Sequence, residues 1–256
     1  MRHPLYLHWH PHKEPHMPNP TAAMLVIGDE ILSGRTRDAN MHFLAGELTK
    51  HGIDLREVRI VSDDRDAIIA ATVGLSGAFD HVFTSGGIGP THDDITADCI
   101  AAAFDTHIDV REDARAILEA HYEQTGLELN DARLRMARIP DGAGLIENPV
   151  SAAPGFSLRN VQVMAGVPSV FQAMVASVLP TLTGGAPLLS QTLRLYRGEG
   201  DIAGPLATLA ADFPDLSIGS YPFQKDGVYG TNIVVRGSDG AQVDAAMVRL
   251  AAVFPK

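Results

Sequence analysis

The chain has 256 residues, of which 45% are hydrophobic and 20% charged, enough for one large α/β domain or for a medium domain followed by a small one. Its formal net charge is −11, and residues 21–189 hold 12 basic and 23 acidic side chains, which argues against a nucleic-acid surface on that segment. No apolar run approaches the ~20 residues that cross a bilayer, and the single cysteine, Cys99, excludes an internal disulfide and favours a cytoplasmic protein.

Residues 1–20 are rich in proline and histidine and show no apolar periodicity. A segment of this kind buries too little apolar surface to fold, so we expect a disordered arm. The arm also lacks the continuous apolar core of a secretory signal, and Met17 and Met24 are alternative natural starts.

Apolar runs and helical patterns alternate in the next part of the chain. Typical strands are "MLVIG" (24–28), "IDLREVRIVSD" (53–63) and "DHVFTSGG" (80–87). Helical spacing is found in "TRDANMHFLAGELTKHG" (36–52), "DRDAIIAATVGLSGAF" (64–79) and "THDDITADCIAAAF" (91–104).

Three residue patterns predict where these helices begin or end. Gly52 is suited to end the first, Asp64 lies near the start of the second, and Thr91 with Asp94 has the spacing of a capping box for the third. The alternation predicts an α/β fold with a doubly wound, mainly parallel sheet.

The second half of the chain changes pattern twice. Residues 111–139 predict two helices, and residues 144–168 predict a strand, a Pro/Gly loop and a hairpin, followed by the helix "SVFQAMVASVLPTL". After a linker at residues 183–190, a βαββα pattern predicts a small α+β domain over residues 190–256.

Four loops follow predicted strands: "GDEILSGR", "SGGIGPTHDD", "NPVSAAPG" and "AGVPS". Ligands of open parallel sheets bind at the carboxyl ends of the strands, so we expect these loops to border one pocket.

The second of these loops combines glycines with carboxylates. Gly86, Gly87 and Gly89 allow the backbone to approach a ligand, and free N–H groups there bind an anion without a basic side chain. Asp93 and Asp94, with Asp29 as a further candidate, are suitable ligands for magnesium, which would offset their repulsion of the anion. The loop therefore predicts a site for a phosphorylated molecule.

Structural explanations of the same residues remain open at this stage. Asp94 and Asp93 can serve only to cap a helix and complement its dipole, and Asp29 and Glu30 can be solvated loop charges. His92 is either an acid–base group or an exposed loop histidine. Cys99 shares a helix face with apolar residues and is expected in the core.

In order and spacing, "GDEILSG", "TSGGIGPTHDD", "NPVSAAPGF" and "AGVPS" resemble the MoaB/Mog-type molybdopterin-binding domain of the competence/damage-inducible protein A family. The resemblance covers residues 21–186, and residues 190–256 resemble the small domain that follows it in that family. The family's C-terminal amidase domain has no counterpart before Lys256, so we expect no amidase activity.

The resemblance implies a pocket for a molybdopterin-like ligand or for ADP-ribose, whose pyrophosphate is hydrolysed with magnesium or another divalent cation. It implies catalytic roles for Asp29 and Asp94 and metal ligation by Asp93 and Asp94. The implied ligand-binding residues are Gly28, Glu30, Ser85, Gly86, Gly87, Gly89, Thr91, Asn148, Pro149, Gly155, Gly166 and Pro168.

Three functions are consistent with these motifs: a metal-dependent pyrophosphatase acting on ADP-ribose or a similar dinucleotide, a protein that binds molybdopterin or transfers adenylyl groups in molybdenum cofactor assembly, and a non-catalytic nucleotide-binding module. Relatives of the domain also precede FAD synthases. The family is generally oligomeric, and two helical segments rich in Ala, Val and Met, at residues 169–182 and 241–254, favour a homodimer. The alternative is that these helices cover only their own sheets.

Overall fold

The computed structural model describes residues 18–255, and most of the expected arm, residues 1–17, lies outside the described residues. Strands and helices alternate through the first part of the described chain. In order they are β1 (Thr21–Ile27), α1 (Asp29–Leu32), α2 (Asn40–Lys50), β2 (Asp54–Val61), α3 (Arg65–Ala78), β3 (His81–Ser85), α4 (Thr96–Ala103), β4 (Ile108–Val110), α5 (Glu112–Thr125), α6 (Asp131–Leu134), β5 (Arg138–Pro140), β6 (Gly144–Ile146), β7 (Gly155–Leu158), β8 (Val161–Met164) and α7 (Pro168–Val178).

Six of these strands form one sheet in the order β2-β1-β3-β8-β7-β6. β1 is parallel to β2 and to β3, and β3 is parallel to β8. β7 is antiparallel to both of its neighbours, as the predicted hairpin requires. The predicted α/β fold with a mainly parallel sheet is confirmed.

β1 shows why both faces of this sheet need helices. Ala23, Leu25 and Ile27 belong to one core with residues of α3, α4 and α5. Their alternate neighbours on β1 belong to a second core with residues of α2 and α7. Side chains of a strand point alternately to the two faces, so a run that is apolar throughout is buried only between two layers of helices.

Two predicted helix boundaries are confirmed. Gly52 adopts a φ of 66° directly after α2, and an added Cβ would lie 2.4 Å from the Gly185 carbonyl carbon. The Asp64 carboxylate accepts a hydrogen bond of 2.9 Å from the N–H of Ala67 and thereby caps α3.

The third predicted boundary is wrong, because α4 begins at Thr96 and not at Thr91. Asp94 does accept hydrogen bonds from Thr91, as a capping pair would, but the bonds close a separate turn before the helix. The Thr96 N–H then donates to the Gly87 carbonyl, so the helix starts only after the glycine loop is complete.

The segment around residues 111–139 also differs in part from the prediction. Two α-helices are present, but the second, α6, has only four residues and is followed by a 3₁₀ turn at Arg135–Ala137. The short strands β4 and β5 pair with each other in a separate two-stranded sheet. Strands of three residues are too short to show a period of two in the sequence.

A small α+β domain follows, as predicted. Its elements are β9 (Leu189–Leu195), α8 (Glu199–Asp212), β10 (Ser217–Lys225), β11 (Val228–Gly237) and α9 (Gly240–Val253). The strands form an antiparallel sheet in the order β10-β11-β9, and a separate core joins this sheet to α8 and α9.

The segment that connects the first domain to the small domain is hydrogen-bonded to the first domain. The Gly185 N–H donates to the Gly52 carbonyl at 3.0 Å. The Asn19 amide donates to the Ala186 carbonyl and accepts from the Ala186 N–H, each at 3.0 Å. The last residues of the expected arm therefore contact the folded chain. No helix within residues 18–255 is long and apolar enough to cross a membrane.

Candidate functional site

A cleft of ≈ 490 Å³ opens where β1, β2, β3 and β8 reach their carboxyl ends. Each strand contributes the loop that follows it, and the loop after β6 completes the wall, so all four loops expected from the sequence meet here. The lining residues are Ile27, Gly28, Glu30, Thr36, Asp63, Gly86, Gly87, Ile88, Gly89, Asp93, Asp94, Met136, Asn148, Ser151, Ala153, Ala165, Gly166, Val167, Pro168 and Val170.

The glycine loop has a backbone that other residues do not readily adopt. Gly86 and Gly87 have φ angles of 111° and 70°. A Cβ on Gly86 would lie 2.3 Å from the Ile27 carbonyl oxygen, and one on Gly87 would lie 2.1 Å from Thr96 Oγ1. Within residues 18–255, no hydrogen bond uses the N–H groups of Gly87, Ile88 and Gly89. Three donors at the edge of the cleft are thus available to an anion.

The carboxylate of Asp94 is held beside this loop. Its Oδ2 accepts hydrogen bonds from the Thr91 N–H at 2.8 Å and from the Thr91 hydroxyl at 2.5 Å. A Cβ on Gly89 would lie 2.7 Å from the same oxygen, which shows how closely the carboxylate approaches the glycine backbone. Thr91 itself does not line the cleft and contributes through Asp94.

Asp93 is the more accessible of the two adjacent carboxylates, with 61% of its side chain exposed. The Thr91 hydroxyl and the Asp93 N–H lower the pKa of the Asp93 carboxyl. The side chain of His92 is 99% exposed and lies outside the cleft, with its Nδ1 atom 3.8 Å from Asp93 Oδ1. Asp93 is therefore ionised at neutral pH and free to meet a cation.

Asp63 is a carboxylate of the cleft that the sequence reasoning missed. It follows β2, and its Oδ2 accepts the Asp29 N–H at 2.9 Å. Burial raises the pKa of Asp63, and the negative charges of Asp29, Glu30 and Asp93 raise it further, against the lowering effect of the bond from Asp29. Of the three carboxylates that act on Asp63, Glu30 and Asp93 line the cleft with it and Asp29 does not. The available signal was that Asp63 ends the second predicted strand, where a ligand-binding loop is expected.

Asp29 does not line the cleft. Because α1 begins at Asp29, its backbone N–H points to Asp63, and its side chain lines a neighbouring depression with Leu32, Ser33 and Arg35. Glu30, the next residue, lines both the depression and the cleft. The sequence predicted a loop at this point, whereas Asp29 and Glu30 are consecutive residues of a single helical turn and therefore point in different directions.

The loop after β6 is organised by Asn148. The Asn148 amide oxygen accepts from the N–H groups of Val150 and Ser151, and its nitrogen donates to the Ser151 hydroxyl and the Ala153 carbonyl. Asn148 and Ser151 line the cleft, while the exposed Pro149 does not.

Gly155 and Ser85 also lie outside the cleft. A Cβ on Gly155 would lie 2.4 Å from the Val163 carbonyl, so this glycine serves the packing of β7 against β8. Ser85 is buried, and its hydroxyl accepts a hydrogen bond from Asn40.

Of the residues predicted from the sequence, the cleft brings ten together: Gly28, Glu30, Gly86, Gly87, Gly89, Asp93, Asp94, Asn148, Gly166 and Pro168. The other five are Asp29, Ser85, Thr91, Pro149 and Gly155. Cys99 is only 1% exposed, as predicted, and burial raises the pKa of its thiol to about 11.

The carboxylates of the cleft fit a magnesium ion that is shared with a bound phosphate better than a metal ion whose ligands all come from the protein. Within residues 18–255, no group of three or more His, Cys, Asp or Glu side chains is arranged to hold a metal ion. Magnesium is commonly held by one or two carboxylates together with the phosphates of a substrate. Asp93 and Asp94, next to the free N–H groups of the glycine loop, match that arrangement.

Two known families match the chain, one over each of its domains. The family described as "Probable molybdopterin binding domain" matches residues 23–184, and the one described as "FAD synthase, middle domain" matches residues 187–256. A "Probable FAD synthase" of Caenorhabditis elegans is 33% identical over 93% of this chain. The chain spans about half, 51%, of that relative's length.

Two further relatives match somewhat less than two thirds of the chain. A "CinA-like protein" of Citrifermentans bemidjiense is 39% identical over 63% of this chain and 40% of its own length. The crystal structure of a protein CinA of unknown function from Thermoplasma acidophilum is 35% identical, with a TM-score of 0.59, and the match covers 63% of this chain and 97% of that one.

The fold and cleft thus define a doubly wound α/β protein that presents a glycine loop and carboxylates at the carboxyl edge of a parallel sheet. The chain belongs to the molybdopterin-binding-domain family, in its CinA-like form. Residues 187–256, which form the second domain, are similar to the family described as "FAD synthase, middle domain".

Proposed function

We propose that the cleft binds a small molecule through its pyrophosphate and hydrolyses that pyrophosphate with the help of a divalent cation, with ADP-ribose or a similar dinucleotide as substrate. The observation that carries this proposal is the position of three free N–H groups, on Gly87, Ile88 and Gly89, beside the carboxylates of Asp93 and Asp94. An anion-binding backbone next to carboxylates is repulsive for the ligand unless a cation accompanies it.

The backbone supplies the phosphate contacts in this proposal. Among the described residues, neither a Lys nor an Arg lines the cleft, so the charge of a pyrophosphate would be met by N–H dipoles and by the cation. This suits a chain whose first domain is strongly acidic. A cleft of ≈ 490 Å³ also has the volume of a nucleotide-sized ligand.

Asp93 and Asp94 would hold magnesium, which supplies charge neutralisation at the phosphates and a coordinated water of lowered pKa. Asp94 keeps its position because Oδ2 accepts two bonds from Thr91. Asp63, with its raised pKa, is suited to orient the attacking water and to take up its proton. Asp29 has no direct place in this scheme, because its side chain lies outside the cleft.

A second candidate is adenylyl transfer or ligand binding in cofactor assembly. The family description names molybdopterin, and the name of the Caenorhabditis elegans relative refers to FAD, which itself contains a pyrophosphate. Both functions would use the same glycine loop. The reaction separates them, because hydrolysis consumes a dinucleotide and adenylyl transfer produces one.

The test combines binding and turnover on the full chain. Calorimetric titration with inorganic pyrophosphate, ADP-ribose, FAD, ATP and a pterin phosphate, each with and without magnesium, identifies the ligand class. Turnover of ADP-ribose and FAD is then measured by release of AMP. We expect pyrophosphate compounds to bind only with the cation and at least one dinucleotide to be cleaved.

Asp93→Asn and Asp94→Asn should each lower turnover by at least ~100-fold, as expected for loss of a metal ligand. Asparagine retains an oxygen for Thr91, so Asp94→Asn removes the charge without opening the turn. Asp215→Asn, an exposed position in the small domain, removes the same charge as a control. Full activity of both cleft variants at saturating magnesium would contradict the metal assignment. Binding without cleavage would leave a nucleotide-binding module.

A further inference from the structure

A side pocket of ≈ 60 Å³ adjoins the cleft and shares Glu30, Thr36 and Gly166 with it. The residues that belong to this pocket alone come from the ends of β1 and β3, from α1 and from the segment that leads into α2. Two polar side chains among them, Asn40 and Ser85, are nearly inaccessible to solvent, at 3% exposure each. Neither is explained by the phosphate site.

The orientation of the Asn40 amide is fixed by its partners. Its nitrogen donates to the Gly166 carbonyl at 2.7 Å and to the Ser85 hydroxyl at 2.8 Å. A carbonyl oxygen can only accept, so the nitrogen must face Gly166 and the amide oxygen must face away. That oxygen, Oδ1, accepts no hydrogen bond from any residue in 18–255.

A buried acceptor without a partner is costly, and native proteins seldom leave one unless a water or a ligand completes it. The Ser85 hydroxyl adds the complementary function. It accepts from Asn40, and within the described chain its own proton is donated to no residue. Two residues that line the pocket therefore each carry an unused hydrogen-bonding function: the buried acceptor Asn40 Oδ1 and the donor Ser85 O–H.

A hydroxyl group of a ligand matches this pair, because it donates and accepts at the same oxygen. Ser85 immediately precedes Gly86, so a group bound here lies next to the phosphate loop. In a nucleotide, the part with hydroxyl groups next to the phosphate is the pentose.

We propose that Asn40 and Ser85 form a sugar subsite that binds a ribose hydroxyl of the ligand and makes the cleft select ribonucleotides over their deoxy forms. This inference rests on the proposed function, since it places the phosphate on the glycine loop. Asn40 Oδ1 accepts the hydroxyl proton, and the Ser85 hydroxyl donates to the hydroxyl oxygen.

The test is a double-mutant cycle in which a hydroxyl is removed from the ligand, and the Ser85 hydroxyl or the Asn40 amide is removed from the protein. Calorimetric titration with magnesium compares ADP, 2′-deoxy-ADP and 3′-deoxy-ADP on the wild-type chain. One of the two deoxy forms should bind at least about 10-fold more weakly than ADP, because both hydrogen bonds to that hydroxyl are lost. Ser85→Ala and Asn40→Ala each remove one of the two bonds, so in each variant the ratio of the two affinities should fall clearly below the wild-type ratio.

The ratio of affinities separates a subsite from a merely structural role, because a loss of stability weakens both ligands alike. Ser177→Ala, which removes a half-buried hydroxyl of α7 outside both pockets, serves as the matched control and should keep the ratio. Ser85→Ala keeps the test decisive if Asn40→Ala does not fold, since Asn40 also holds the Gly166 carbonyl.

Inorganic pyrophosphate has no sugar, so its binding reports on the phosphate site independently of the sugar subsite. If pyrophosphate and ADP bind but neither deoxy form is weaker, the sugar subsite is refuted and the phosphate site stands. The same conclusion follows if both variants keep the wild-type ratio. If pyrophosphate, ADP and its deoxy forms all fail to bind with magnesium, the proposed function is refuted, and the subsite with it.

Discussion

Substitution of Gly87 by alanine tests the glycine loop most directly, because two separate costs are visible in the structure. The residue has a φ of 70°, which costs an L-amino acid on the order of 1 kcal/mol. The new Cβ would also lie 2.1 Å from Thr96 Oγ1. Thr96 is completely buried, and its hydroxyl donates to the Gly86 carbonyl at 3.0 Å, so it cannot move without losing a buried hydrogen bond.

Loss of a buried hydrogen bond costs about 1–3 kcal/mol. We therefore expect Gly87→Ala to lower the free energy of unfolding by about 2–4 kcal/mol in total. Gly126→Ala is the matched control, because Gly126 has a nearly identical φ of 69° and nothing within 4 Å of an added Cβ. That variant should show the backbone cost alone, about 1 kcal/mol.

Urea unfolding of the full chain, followed by far-UV circular dichroism, measures both variants. Thr96→Ala removes the oxygen that the new methyl group meets, so the double variant Gly87→Ala/Thr96→Ala should be less unstable than the sum of its single substitutions. Calorimetric titration should show that Gly87→Ala no longer binds pyrophosphate. The contact with Thr96 is not a constraint if Gly87→Ala lowers the free energy of unfolding by no more than Gly126→Ala does. The same holds if the effects of Gly87→Ala and Thr96→Ala on that free energy simply add.

Three further predictions concern other parts of the chain. The pKa of Asp63 is raised in the folded state above its ordinary value of 3.8, so the ionised carboxylate disfavours folding once the pH exceeds that raised value. Asp63→Asn should therefore raise the melting temperature at pH 7 but not below pH ~3.8, and an equal gain at both pH values would contradict the pKa shift. Cys99, buried and with a thiol pKa of about 11, should resist alkylation at pH 8 until the chain is unfolded, and rapid labelling of the native protein would refute its burial. A homodimer is still expected, although α7 and α9 each bury an apolar face within their own domain; a single-chain mass by light scattering at micromolar concentration would exclude it.

The sheet and the position of the cleft could be predicted from the sequence because both follow from one pattern. β1 is apolar at consecutive residues, which requires helices on both faces, and the carboxyl ends of parallel strands lie at one edge. The loops after β1, β3, β6 and β8 could therefore be assigned to one pocket without knowledge of a single contact.

The orientation of individual side chains could not be predicted in the same way. Asp29 and Asp63 both follow strands and both carry carboxylates, but α1 rotates the side chain of Asp29 out of the cleft. The main-chain N–H of Asp29 donates a hydrogen bond to the Asp63 carboxylate and thereby fixes the position of Asp63. A helix of four residues has no detectable period, so the sequence alone could not show which of the two carboxylates faces the ligand.

Ser85 and Asn40 are a second case in which the sequence could not predict how side chains are arranged, and here the arrangement concerns which ligand is bound. Ser85 could be assigned to the ligand site because it precedes the glycines, whereas Asn40 is 45 residues away and lies within a helical pattern where a polar residue is usually solvated. In the structure Asn40 is buried, ties β3 to the loop after β8 through Ser85 and Gly166, and keeps one acceptor unused. A polar residue with only a structural role would be expected to use its full hydrogen-bonding capacity. An unused acceptor beside the phosphate loop is what the proposed sugar subsite requires.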